Sequence, residues 1–232
     1  DAAVTAVNKA HVTGASFGES ENNQSGAIRI LSDAVSFAKA HYNDSVASFN
    51  GANLGVMIMN ATAQGTFESY LDSTGAHIYA ADIDIDNEYQ SLAEAKSTQP
   101  GGGFSADAVS GKRNEANASA DTTANGGITG SGKIHTGSID ILVDGSGSKA
   151  IADVDGKKVE ASVLTIGTNH AAADLSMNQS AYIQGSGIVN ANGNVKVESR
   201  MNDGEATSEL GSNGGGANVS LATANAQEAH AD

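Results

Sequence analysis

GSIDILVD, residues 137–144, is the stretch that decides the fold. Ile139, Ile141 and Val143 alternate with Asp140, Leu142 and Asp144. A period of two with one apolar parity marks a strand that buries one face and wets the other. The phrase runs on into a small-residue tail, GSGSKAIAD, and the whole returns along the chain. It reads GAIRILSDAVSFAKA from Gly26, GAHIYAADIDIDNEYQSLAEA from Gly75, GNVKVESRMNDGEATSE from Gly193 and GANVSLATANAQEAHAD from Gly216. Repetition of one strand-turn unit is the mark of a solenoid, in which function resides in length and surface more than in one cleft.

Ile28 and Ile30 flank Arg29, Ile83 and Ile85 sit among Asp82, Asp84 and Asp86, and Val195 and Val197 flank Lys196. Val159, Ala161 and Val163 alternate with Glu160, Ser162 and Leu164 in the same way. The buried parity belongs to the aliphatic residues, so the aspartates face outward. Asn50-Gly51, Asp155-Gly156, Asn192-Gly193, Asp203-Gly204 and Asn213-Gly214 supply the positive-φ corners between strands. Asp33–Tyr42 and Tyr89–Lys96 are rich in Ala, Leu and Glu, but each continues a strand phrase without caps, and both are read as strands.

A longer period is superposed. Gly26 aligns with Gly137, Ile83 with Val195 and Gly103 with Gly216, a repeat of roughly 110 residues. The chain thus reads as one continuous unit, 1–232, with long repeats over 26–136 and 137–232. Thr98–Gly103 is its loosest point, a loop between coils. With about 20 to 25 residues per coil there are roughly ten coils, and strands about 4.8 Å apart give a rod of about 50 Å. The repeating pattern is still in progress at both ends, so the expectation is a fragment of a longer rod.

Composition sets the limits on function. A net charge of −15, from 27 acidic and 12 basic residues, excludes the clustered basic surface that nucleic acid needs. It also disfavours anionic membranes. No apolar run approaches the length of a spanning helix, so no membrane insertion is expected. Cysteine is absent, which removes disulfide and thiol chemistry. Aromatic content is 4% with no Trp, as suits a narrow core of Val, Ile, Leu and Ala.

Catalytic motifs dissolve on inspection. Gly14-Ala15-Ser16-Phe17-Gly18 has nucleophile-elbow spacing, but a loop-like run follows where a helix is required. Gly127–Lys133 (GITGSGK) has phosphate-loop spacing, but Ile134 stands where a hydroxyl must bind magnesium. The six histidines, His11, His41, His77, His135, His170 and His230, are isolated. Asn-x-Ser/Thr triplets at Asn23, Asn43, Asn60, Asn117, Asn178 and Asn218 are glycan acceptors only in a glycosylating host. No catalytic or cofactor-binding residue is assigned. Oxygen-rich carboxylate ladders suit calcium, which makes Asp82, Asp84, Asp86, Asp140 and Asp144 the metal candidates against a plain solvated face.

At Gly193–Ser199 (GNVKVES), Gly216–Ala231 and Val163–Val197 the chain resembles the repeat region of large secreted filamentous adhesins, of the filamentous-haemagglutinin and leukotoxin-like type. The resemblance implies a right-handed parallel β-helix, export to the cell surface, and a structural role in attachment or fibre building without catalysis. The partners it implies are a host-cell or surface receptor, or further copies of the fibre. The alternatives weighed are a carbohydrate- or protein-binding β-helix module and, less favoured, a polysaccharide lyase. Only three arginines and no Trp are available to a lyase site.

Overall fold

The computed structural model describes residues 1–43, 52–98, 104–154, 159–210 and 216–228. Every element among them is a β-strand, and every pair of strands is parallel. One sheet, sheet A, orders as β1 (Ala2–Thr13), β3 (Ala52–Asp72), β5 (Phe104–Thr129), β8 (Val159–Ile183) and β12 (Gly216–Glu228). Sheet B has β4 (His77–Thr98) at its centre, with β2 (Ile28–Asn43) on one side. On the other side lie β6 (Lys133–Asp144) and β7 (Lys149–Val154). Beyond these come β9 (Ile188–Ala191) and β10 (Val195–Arg200) on β6, and β11 (Glu205–Leu210) on β7. In chain order the backbone alternates between the two sheets.

The register explains why. Ile28 pairs with Ile83, Ile83 with Ile139, and Ile139 with Val195; Ile30, Ile85, Ile141 and Val197 form the neighbouring ladder. Each return of the sequence phrase sets like residues side by side, and along these two ladders inward aliphatic meets inward aliphatic. The pairing interval is shortest between Thr165 and Asn218 and longest between Ala2 and Ala61. Throughout it is more than twice the length expected for one coil, and ten coils are not seen. The physical reason is strand length: β3, β4, β5 and β8 run 21 to 26 residues, each absorbing two or three of the short phrases. The long period of the sequence spans two such intervals.

Parity follows the sequence reading. Ile83, Ile85, Ile139, Ile141 and Val143 are buried, whereas Asp82 and Asp140 are exposed. Asp33–Tyr42 and Tyr89–Lys96 are strand throughout. Val195 and Val197 keep the inward register but stay 53% and 42% exposed, because among the described residues β10 is paired on one side only. The turns at Asn50-Gly51, Asp155-Gly156 and Asn213-Gly214 and the Gln99–Gly103 part of the loop fall outside the described residues. So do the side chains of 159–167 and 216–228, together with His230.

The core has two parts. An isoleucine-rich cluster holds Ile28, Ile30, Ile78, Ile83, Ile85, Ile128, Ile134, Ile139 and Ile141 with Leu71. The other cluster is mostly alanine, and its larger side chains include Phe67, Tyr89, Leu175 and Met177. Phe67 and Tyr89 stack with centroids 5.2 Å apart, and the Tyr89 hydroxyl donates to Gln179 Oε1 at 2.9 Å. Gly65 is required beside them, since a Cβ there would collide with the Phe67 ring. Asn87, fully buried in sheet B, reaches across the core. Its Nδ2 donates to the backbone oxygens of Phe67 and Asn125 in sheet A, both at 3.0 Å.

Candidate functional surface: the outward charge ladders

Outward side chains stack in columns along the same registers. One column on sheet B runs Arg29, Asp84, Asp140, Lys196. Arg29 lies 3.7 Å from Asp84, and Lys196 lies 3.9 Å from Asp140. The two central carboxylates are adjacent, and each has a cation on its far side. The next column but one runs Asp33, Glu88, Asp144, Arg200, three acids capped by one guanidinium. Arg200 Nε donates to Asp144 Oδ2 at 2.7 Å, and the Ser146 backbone N–H and hydroxyl both donate to Asp144 Oδ1. Burial works to raise the Asp144 pKa, but the Ser146 hydrogen bonds and Arg200 outweigh it and hold the carboxyl below its usual range.

Asp86 stands between these columns, beside Leu142. Its Oδ1 is buried with no hydrogen-bond partner. Burial, followed by the charges of Glu88, Asp84 and Asp140, pushes its pKa up. Asp82 is occupied differently, accepting from the Ser138 hydroxyl at 2.6 Å. Of the five calcium candidates, the register therefore joins Asp84 to Asp140. Asp86 and Asp144 have separate surroundings, and Asp82 belongs to another column, opposite Ser138. Among the described residues no group of three or more His, Asp or Glu side chains is placed to hold a metal ion.

Further along sheet B, Glu94 gathers three nitrogen side chains: Lys39 at 3.1 Å, Lys96 at 3.1 Å and His41 at 3.2 Å. Burial opposes ionisation of Glu94, but these hydrogen bonds win and its pKa is lowered. On the outer face of sheet A, His11 stacks on Tyr70 at 4.9 Å, while the Tyr182 ring lies across Gly127, where a Cβ would collide with it. Asn117 donates to Asn60 at 2.9 Å, so two of the sequence triplets form an amide ladder. Such a row satisfies its own amides.

The two catalytic-looking motifs are turns. Gly14 and Gly18 have φ of 64° and 69°, and Ser16 Oγ accepts from the His77 N–H at 3.1 Å. Gly130, at φ 107°, and Gly132 pack on the backbone of residues 73–76, with strand β6 following where a phosphate loop has its helix. Sequence reading does not find the Asp144–Arg200 pair, the Glu94 cluster or the Asn87 bridge. The first two depend on the pairing interval, whose only sequence signal is the nearly constant step separating Ile28, Ile83, Ile139 and Val195. The Asn87 bridge crosses between sheets and leaves no periodic trace. No family model, curated protein or solved structure matches this chain.

Proposed function

We propose that the chain is a right-handed parallel β-helix, a β-solenoid segment that serves as a structural element of an extracellular filamentous adhesin or fibre. The observation that carries this reading is the aliphatic ladder Ile28–Ile83–Ile139–Val195, repeated in register by Ile30–Ile85–Ile141–Val197. A ladder of this kind couples each layer to the next without a specific ligand, which is what a stiff spacer needs. One circuit of the solenoid is one strand of sheet A plus the sheet B segment after it, and β1 to β12 make a little more than four circuits. At about 4.8 Å per layer the segment contributes about 20 Å of length. The outward columns, charged and hydrogen-bonded among themselves, keep the flanks soluble and discourage sideways aggregation.

In this role the segment holds a receptor-binding element away from the cell, at the cell surface or after secretion, and performs no reaction. Immunogold labelling of intact, unpermeabilised producing cells tests it. Label along surface fibres is the expected result. Label confined to the cell interior overturns the reading.

A further inference from the structure

On the outer face of sheet A, strands β3, β5 and β8 carry a groove of about 380 Å³ over residues 60–62, 117–119 and 172–174. It runs across the strands, and the register shows what makes it. Asn60 pairs with Asn117 and Asn117 with Ala172; two residues on, Thr62 pairs with Ser119 and Ser119 with Asp174. The two asparagines lie along their column, because the Asn117 Nδ2 donates to the Asn60 Oδ1. Ala172 ends that row with a methyl group, and Thr62 and Ser119 are short. The floor is therefore the backbone of three strands, about 10 Å from the first to the third. All three are interior strands of the sheet, between β1 and β12. Windings added at either end of a longer rod lengthen this groove and leave it open.

We propose that the groove is a binding site for an uncharged glycan, taking about two hexose rings across the span of the three strands. Clefts of about 300–1,000 Å³ hold small ligands when a few polar groups converge on them. Asp174 is exposed, and its carboxylate has no hydrogen-bond or ion-pair partner among the described residues. A carboxylate accepts two hydrogen bonds side by side, which suits a pair of neighbouring sugar hydroxyls. The Thr62 and Ser119 hydroxyls both donate and accept. The Asn117 Oδ1 is a further acceptor, since Ala172 beside it has no side-chain donor. The Ala172 methyl, set among these polar groups, gives the C–H face of a ring its apolar contact.

Charge selects among glycans. Asp121 lies diagonal to Asp174, two residues beyond Ser119 on the neighbouring strand. Arg113 is already held by Glu115, its Nε donating to Oε1 at 2.6 Å. A carboxylate or sulfate on the sugar would therefore meet Asp174 and Asp121 without a free guanidinium to receive it, and like charges brought together cost affinity. An amine would meet one carboxylate, but the rest of the groove is amide, hydroxyl and methyl and rewards no charge. Uncharged hydroxyls fit every group present. The site stands on the groove alone and is independent of any filament role.

Isothermal titration calorimetry of the full chain with cellotriose, maltotriose and mannotriose, each taken to about 20 mM, tests it. At least one of the three is expected to bind, with a Kd of about 1 mM. Trigalacturonate, which carries carboxylates, and the glucosamine trimer of chitosan, which carries amines, should each bind at least tenfold more weakly. Ala172→Leu, which fills the floor, and Asp174→Ala, which removes the exposed carboxylate, should each weaken binding at least tenfold. Circular dichroism verifies that both variants keep the strand spectrum. Absence of binding by all three uncharged sugars overturns the proposal. Binding that survives either variant in folded protein places the contact elsewhere and overturns the site. Trigalacturonate or the glucosamine trimer binding as tightly as the uncharged sugars overturns the ligand class.

Discussion

The two parts of the core solve one packing problem differently. In the isoleucine part, Ile28, Ile83 and Ile139 repeat one shape through successive strands, and Ile78, Ile134, Leu71 and Ile128 share their cluster. In the alanine part, Ala38, Ala93, Ala150 and Ala206 form one ladder in sheet B, and Ala61, Ala118 and Ala173 another in sheet A. Methyl groups fill little volume, so this half takes its bulk from single insertions such as Phe67, Tyr89 and Met177. It also admits polar groups: Ser36, Ser91 and Gln179 are buried there. The comparison teaches that a repeating ladder stabilises through identity of neighbours, whereas an alanine ladder depends on a few irregular residues.

The largest effect expected is from charge placed inside the repeating ladder. Ile141→Asp puts an unpaired carboxylate between Ile85 and Val197 and should cost about 4 kcal/mol or more. Urea unfolding measures it; a loss under about 1 kcal/mol would show that the ladder does not face a dry core. Truncation then separates the two parts. Ile85→Ala, at full burial, should cost about 2–5 kcal/mol through lost contact and a cavity. In the alanine part the sensitive direction is reversed, and Ala95→Val should cost about 1–3 kcal/mol by overpacking. A stabilising Ala95→Val would mean that the gap between the sheets beside Ala95 has room for larger side chains.

Asn87 joins sheet B to sheet A and offers the next test. Asn87→Ala strands the Phe67 and Asn125 carbonyls that its amide satisfies, at an expected cost of about 1–3 kcal/mol. Loss of hydrogen-exchange protection should concentrate near Phe67 and Asn125. Uniform loss across both sheets would instead mean that the bridge acts globally.

How far the sequence carries the fold depends on the same distinction between repetition and exception. Strand type, parity and the inward place of Ile83, Ile85, Ile139 and Ile141 are periodic, and period is visible without coordinates. The coil length comes out too short because one strand of 21 to 26 residues contains several short phrases. Nothing local says which phrases share a strand. The columns follow only once the pairing interval is known, which is why Asp144 reads as a free ligand although Arg200, one interval further along the chain, holds it. Asn87 and the Tyr89–Gln179 hydrogen bond are exceptions to the repeat and have no sequence signal at all.

Asp86 tests the electrostatics of the outer face. Its folded pKa is raised above the ordinary 3.8, so the protonated acid fits the fold better. The stability this contributes is complete below 3.8 and is lost as pH rises through the raised value. Asp144 and Glu94, with lowered pKa values, act oppositely: their contribution is present above the ordinary carboxylate range and is lost as pH falls through the lowered values. The difference between Asp86→Asn and wild type isolates the first effect. The variant should melt higher at pH 7, with the gap closing on acidification. A gap independent of pH would remove the assigned cause.

The smallest effect belongs to Asp140, one residue from the most sensitive position. Asp140→Asn removes a charge that is 54% exposed and lies 3.9 Å from Lys196. Lys196 keeps Glu198 at 2.6 Å, so no cation is stranded. The lost attraction is offset by relief of the adjacent Asp84, its neighbour in the column. Attraction and repulsion of similar size, both screened by water, leave a change within about 0.5 kcal/mol of zero. Set beside Ile141→Asp, it places the largest and smallest responses on consecutive residues. That contrast is the signature of a strand with one dry face, and equal melting shifts for the two variants would contradict it.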